Sequence, residues 1–219
     1  MAKSNTEQIA STSAQLSKMG FNPKAKLPYG LKSTHVKRAM IDFLDFLGFI
    51  NQALIAKKIQ RLETFLMPAN FSSIVGEFMA TSIPKYCKTL TKNNYHNGHP
   101  DLVPIGIFIN DACLHGDRGI EIKASRHSSG WQGHNPEDVW LIVFVFECNS
   151  PRDQAAGNPA MPFRFLKVVG AKLNKSDWQF SGRSDKSRRT ITASVKRSGY
   201  EKMEANWIYQ SSTQASIQK

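Results

Sequence analysis

Two short stretches of the chain hold residue types that can act on a phosphodiester. One is His99-Pro100-Asp101-Leu102; the other is Gly119-Ile120-Glu121-Ile122-Lys123-Ala124-Ser125. On a β-strand successive side chains alternate faces, so Glu121 and Lys123 point the same way while Ile120 and Ile122 enter the core. If Asp101 begins the neighbouring strand, two carboxylates and an ammonium converge. Hard oxygen donors of this kind suit Mg²⁺, with Mn²⁺ as a substitute, bound by Asp101 and Glu121 together with waters and phosphate oxygens. The metal would activate water for in-line attack. Lys123 would orient or deprotonate that water, or stabilise the charge that develops on phosphorus-bound oxygens. The competing reading of Glu121 and Lys123 is a solvated strand face.

The pattern resembles the PD-(D/E)XK nuclease superfamily, whose signature is Pro-Asp, a spacer, then Glu-x-Lys on the next strand. Pro100-Asp101 and Glu121-Ile122-Lys123 match it without substitution. The resemblance implies an α/β (α+β) fold, a mixed central β-sheet flanked by helices with a restriction-endonuclease-like core. It also implies Mg²⁺-dependent phosphodiester hydrolysis by Asp101, Glu121 and Lys123. Many members use a further acid from a helix preceding the hairpin. Glu77 is the only acid between Glu63 and Asp101 and sits among apolar residues, where a carboxylate needs a partner or a metal; the other reading is an exposed helix position paired with Lys85 or another cation.

Other chemistries find less support. His96, His99 and His134, with Asn97 and Asn135, could suggest a ββα-metal nuclease, but His99 and His134 are separated by a pair of predicted strands. There is no G-x-S-x-G, no cysteine in a catalytic context, and no Gly-rich phosphate loop.

The charge points to the partner. Twenty-nine Lys and Arg against 17 Asp and Glu leave a net charge of +12, which favours a polyanion, and double-stranded DNA is the expected one. Between Arg164 and Lys202 there are eleven Lys or Arg against three acids, interleaved with Trp178, Phe180, Tyr200 and many hydroxyl residues. Basic groups neutralise phosphates and hydroxyls donate to phosphate oxygens, so Arg183, Arg188, Arg189, Lys196 and Arg197 are candidate DNA contacts. The polar, glycine-rich stretch 125–135 adds Arg126, Gln132 and His134, while Trp131 is also readable as a simple anchor for that loop.

Residues 1–32 are polar and read as a mobile arm or a loosely docked segment. Residues 33–219 read as a single domain, helical at first and basic at its C-terminal end. Val36, Met40, Phe43, Leu44 and Leu47 have helical spacing, with Gly48 as a possible interruption. A second helical pattern runs through Ile55, Ile59, Leu62, Phe65 and Leu66 to Pro68, and a third covers 72–83, stopped by Pro84. Residues 102–109 and 119–124 read as adjacent antiparallel strands, 139–147 as a central strand covered on both faces, and 163–169 as another strand.

Cys87, Cys113 and Cys148 form no C-x-x-C pair, which fits a reducing compartment. The start is polar and the longest apolar run, residues 139–146, is too short to span a bilayer, so a cytoplasmic location is expected. No motor motif accompanies the chain. The expectation is a Type II restriction enzyme working as a homodimer, with a cognate DNA methyltransferase in the same system. A Holliday-junction resolvase, a repair nuclease or a non-catalytic DNA-binding protein are the alternatives.

Overall fold

The computed structural model describes residues 2–133, 136–181 and 192–212. In chain order its elements are α1 (Ala2–Ala10), α2 (Ser33–Ala56), α3 (Leu62–Phe65), α4 (Pro68–Tyr86), β1 (Leu90–Lys92), β2 (Leu102–Pro104) and β3 (Ile120–Ser125). They continue with β4 (Gln132–Gly133), β5 (Val139–Glu147), α5 (Pro151–Ala155), β6 (Arg164–Leu173), β7 (Trp178–Ser181), β8 (Thr192–Val195), α6 (Arg197–Ala205) and β9 (Trp207–Gln210). Six strands form one sheet in the order β1-β2-β3-β5-β6-β9, in which only β3 and β5 run parallel. β4, β8 and β7 form a smaller antiparallel sheet. The architecture is a mixed α+β sheet flanked by helices.

β5 occupies the centre because its sequence can be buried on both sides. Ile142, Phe144 and Phe146 pack with α2 and α4, while Leu141, Val143 and Val145 pack with Trp131, Trp178 and Met203 on the opposite face. All six side chains are essentially inaccessible. An unbroken apolar run in a strand is therefore matched by two cores, one per face.

α2 is the one helix among the described residues long and apolar enough to cross a membrane. Its stripe of Val36, Ala39, Met40, Phe43, Leu44 and Leu47 lies in the first core, the placement of a core helix. Gly48 does not interrupt it. A side chain there would meet open space, and the turns on either side are anchored by buried Leu47 and Asn51.

Three further expectations change. The second helical pattern is split: Lys58 adopts φ 59°, Ile59 N–H bonds back to Leu54 O at 2.9 Å, and only Leu62–Phe65 is helical beyond it. The third helix starts earlier, at Pro68, and runs through Pro84 to Tyr86. A tertiary contact carries that last turn, since Tyr86 donates to Asp42 Oδ1 at 2.7 Å, and the helical ladder continues past the proline, with Cys87 N–H reaching Ile83 O at 3.0 Å. The strand expected over 102–109 is only three residues long.

Of the two readings of the 1–32 segment, a mobile arm or a docked one, its described residues are docked. Ala14 N–H bonds Phe163 O at 2.8 Å, Phe21 bridges Tyr209, and Leu31 is buried in the first core. A few apolar residues in a polar stretch suffice to dock it.

Candidate active site

β2 and β3 pair only at Leu102↔Ile120. Past that point β2 diverges, leaving the next edge N–H of β3, that of Ile122, without a strand partner. Asp101 supplies the acceptor: Ile122 N–H donates to its Oδ2 at 2.7 Å. A carboxylate placed one residue before a short strand thus completes the ladder of its neighbour and is held beside Glu121 and Lys123.

The close approach needs a glycine. Gly119 has φ +145°, and a Cβ there would lie 2.2 Å from Leu102 O and 2.3 Å from Pro100 Cγ. Its N–H is also taken, by the Tyr29 hydroxyl at 3.0 Å, so the N-terminal segment braces the start of β3. On the other side Asn93 orders the Pro-Asp turn. Its N–H bonds Asp101 O at 2.8 Å and its side-chain amide donates to Pro100 O at 3.0 Å.

Glu121 and Lys123 share a face as the strand period requires, with Lys123 Nζ 2.5 Å from Glu121 Oε1, while Ile120 and Ile122 enter the core. A third group joins them. His99 Nδ1 is 3.0 Å from Glu121 Oε2, and its Nε2 is 2.6 Å from Glu137 Oε2. The second contact has the distance of an ion pair but not the direction of a hydrogen bond. The side chains of Glu77, Asn93, His99, Asp101, Glu121 and Lys123 line one polar cavity of about 630 Å³.

The electrostatics separate the two carboxyls. Burial pushes Asp101 up, the Glu121 charge adds to it, and the Ile122 N–H and Lys123 only partly oppose them, leaving it at about 7. Burial would also raise Glu121, but His99 and Lys123 outweigh it and hold the carboxyl down at about 2. His99 is lifted to about 9: burial opposes its charge, and Glu121 and Glu137 overcome that opposition. The Lys123 ammonium, disfavoured by burial, is likewise held charged by Glu121. Glu121 is therefore a fixed anion clamped between two cations, and Asp101 is a carboxyl whose negative charge has no dedicated counterion.

That donor set fits a hard divalent cation. Asp101 and Glu121 face one polar cavity, and a positive ion there would relieve the repulsion that raises Asp101. Among the described residues no group of three or more His, Cys, Asp or Glu side chains is arranged to hold a metal, so water and phosphate oxygens would complete the shell. Glu77, expected as a third ligand, lines the cavity but pairs with Lys92 at 2.6 Å and is 65% exposed. The cation it wanted came from β1.

The other candidate positions divide. Arg126 is occupied within the fold, its Nη2 donating to Cys148 O at 2.8 Å and lying 3.3 Å from Asp153 Oδ2. Lys196 reaches Ser176 O at 3.3 Å, and the highly exposed Arg197 pairs with Glu201 one turn along α6. Gln132 is exposed on β4, and Trp131 is the loop's buried anchor, its indole N–H on His127 O at 2.9 Å. His134, Arg183, Arg188 and Arg189 lie outside the described residues.

Sequence reasoning missed Asn93, Glu137 and the way His99 joins the site. His99 precedes Pro100-Asp101 directly, which was a usable signal; Asn93 and Glu137 arrive from loops with no motif around them. No family model matches the chain, and no curated protein or solved structure matches it.

Proposed function

We propose that this protein is a Mg²⁺-dependent DNA endonuclease related to the PD-(D/E)XK nucleases. The observation that carries the reading is the Asp101 carboxylate docked on the open edge of β3, beside Glu121 and Lys123, in one polar cavity. The net charge of +12 supplies the attraction for a phosphate backbone.

In the hydrolysis, the oxygen of water bonds to phosphorus, one P–O ester bond breaks, and the water's proton finally resides on the departing oxygen. Asp101 and Glu121 would hold a divalent cation, which would supply charge neutralisation and a more acidic water. Asp101, lacking a counterion, is the group with most to gain from such a cation. Lys123 presents an ammonium to the same cavity and orients the water or stabilises charge on the non-bridging oxygens. His99 and Glu137 position Glu121 from the far side. Sequence-specific cutting by a cytoplasmic homodimer of the Type II restriction kind, paired with a methyltransferase, is the form of this reading we put forward.

One observation favours a second reading. Both oxygens of Glu121 are engaged, by Lys123 and His99, which a fold retained for DNA binding alone would tolerate indefinitely. Incubating plasmid with the purified protein and Mg²⁺ decides. Discrete, reproducible fragments, lost in Asp101→Ala and Lys123→Ala while DNA binding persists, are the expected result. Cutting confined to four-way junctions moves the assignment to a resolvase. Binding without nicking in Mg²⁺ or Mn²⁺ establishes the non-catalytic reading.

A further inference from the structure

The cavity at Asp101 has lining residues that the proposed chemistry leaves unused. Its cations are each matched to an acid: Lys92 pairs with Glu77 at 2.6 Å, Lys123 with Glu121 at 2.5 Å, and His99 with Glu121 at 3.0 Å. Two of its amides serve the fold. Asn93 ties the Pro-Asp turn, and Asn94 Nδ2 donates to Asn110 O at 2.9 Å. Tyr95, His96 and Asn97, on the turn between β1 and Pro100, also line the cavity. Among the described residues, none of their three side chains takes part in a hydrogen bond or ion pair.

The turn is held in place. Tyr95 N–H donates to Asn93 Oδ1, Gly98 N–H to Tyr95 O and His99 N–H to Leu114 O, each at 3.0 Å. Backbone geometry accounts for two of its residues. Asn97 adopts φ 56°, which Asn tolerates, and a Cβ at Gly98 would lie 2.3 Å from Cys113 O. No such requirement falls on Tyr95 or His96. Both are exposed, and neither belongs to a core. Because Asn93 also bonds Pro100 O and Asp101 O, these two side chains keep a set relation to the Asp101 carboxyl.

The site has room for more than an ion. A cation with its waters, at roughly 30 Å³ per water, fills only part of a cavity of about 630 Å³. A DNA strand crossing Asp101 and Glu121 brings a series of phosphates, of which the cation answers the scissile one. The flanking phosphate needs other donors, and with Lys92 held by Glu77 the unengaged ones are on this turn. In an intact duplex the bases are stacked inside, so groups that meet a strand at its scissile phosphate reach phosphate oxygens first. Such contacts fix register and carry no sequence information.

We infer that Tyr95 and His96 hold the phosphate next to the scissile one, the Tyr95 hydroxyl and a His96 ring N–H donating to its oxygens, a role that rests on the proposed nuclease function.

The test uses the full chain and a mixed-sequence DNA duplex, with Tyr95→Phe, His96→Leu and His96→Gln compared to wild type. The exposure of both positions leaves folding intact, which thermal melts will verify. Affinity is read in EDTA, where nothing is cut, and cutting is read in Mg²⁺. Tyr95→Phe and His96→Leu are each expected to weaken affinity by about tenfold and to raise KM alike, with kcat within about twofold of wild type. His96→Gln keeps an N–H donor and should stay within about threefold. The positions cut should not change in any of them. Wild-type affinity in both Tyr95→Phe and His96→Leu overturns the assignment. So does a fall in kcat at unchanged affinity, which would put the turn in the chemistry, and so do displaced cut positions, which would make it a reader of bases. If wild type cuts while the affinities stay level, the nuclease reading stands and the turn falls. If wild type binds without cutting, the nuclease reading falls and the affinities alone decide the turn. If it does not bind DNA, both fall.

Discussion

Two of the places where charge is buried in this molecule are built on opposite terms. Beneath α2, Arg61 is 1% exposed and every nitrogen of its guanidinium has a partner. Nε meets Glu7 Oε2 at 2.8 Å, Nη1 meets Glu63 Oε1 at 2.5 Å and Met161 O at 3.0 Å, and Nη2 meets Asn149 Oδ1 at 2.8 Å. Asn51 completes it by donating to the other Glu63 oxygen at 2.9 Å. At the edge of β3, by contrast, Asp101 has one N–H and a like-charged neighbour, and its ionised form is disfavoured. A saturated network has nothing left for a ligand. An unsaturated one holds a group ready for a cation, and that difference separates a structural charge cluster from a candidate catalytic one.

The contrast can be broken most sharply by Asp101→Asn. The amide oxygen still accepts from Ile122 N–H, so the melting temperature should hold or rise, while Mg²⁺-dependent cutting falls by about three orders of magnitude or more. A large loss of stability would place Asp101 with Arg61 as a structural group. Next in size is Arg61→Met, which leaves Glu63 buried without its cation and should cost about 3–5 kcal/mol in denaturant unfolding. Retention of wild-type stability would show that the network is replaceable by packing.

A smaller effect is expected at Asp177, the buried acid that joins the β6–β7 connection to α6. Burial alone would raise its pKa, but Asn174 N–H, Lys202 and Ser198 outweigh that and hold it below the usual carboxylate range. A depressed folded-state pKa contributes stability above the unfolded value near 3.8 and loses it as pH falls through the folded one. Asp177→Asn should therefore flatten the acid limb of stability below about pH 4, measured by melts across pH. An unchanged acid limb would deny the linkage. Smallest is Glu77→Gln, which breaks an exposed pair with Lys92 and should change stability by less than about 1 kcal/mol. If it nonetheless abolishes cutting, Glu77 leaves Lys92 for the metal in the working complex.

Much of this was legible in the chain itself. Period-two alternation put Glu121 and Lys123 on one face, and the apolar run 139–147 required a strand covered on both sides. Both follow from local backbone geometry, which repeats every few residues and leaves its mark in sequence. The pairing of Pro-Asp with Glu-x-Lys was an expectation from resemblance to a family signature, whereas the antiparallel placement of the two strands followed from their strand-like residues and the turn residues between them. Element ends were less legible: α4 passes Pro84 because Asp42, on another helix, holds Tyr86.

What the tertiary structure alone decided is who neutralises whom. Long-range partners have no fixed spacing, so no pattern in the chain announced that Glu137 would face His99, that Asn93 would tie the Pro-Asp turn, or that Tyr29 would cap Gly119. The sequence by itself determined a basic α+β protein with one strand buried on both faces and with Glu121 and Lys123 on one strand face. Packing decided that Lys92 claims Glu77, that Asn149 and two glutamates claim Arg61, and that Asp101 is left with one hydrogen bond. The physical reason is that a charge is defined chemically by its residue, but its free energy is set by what burial brings within a few ångströms of it.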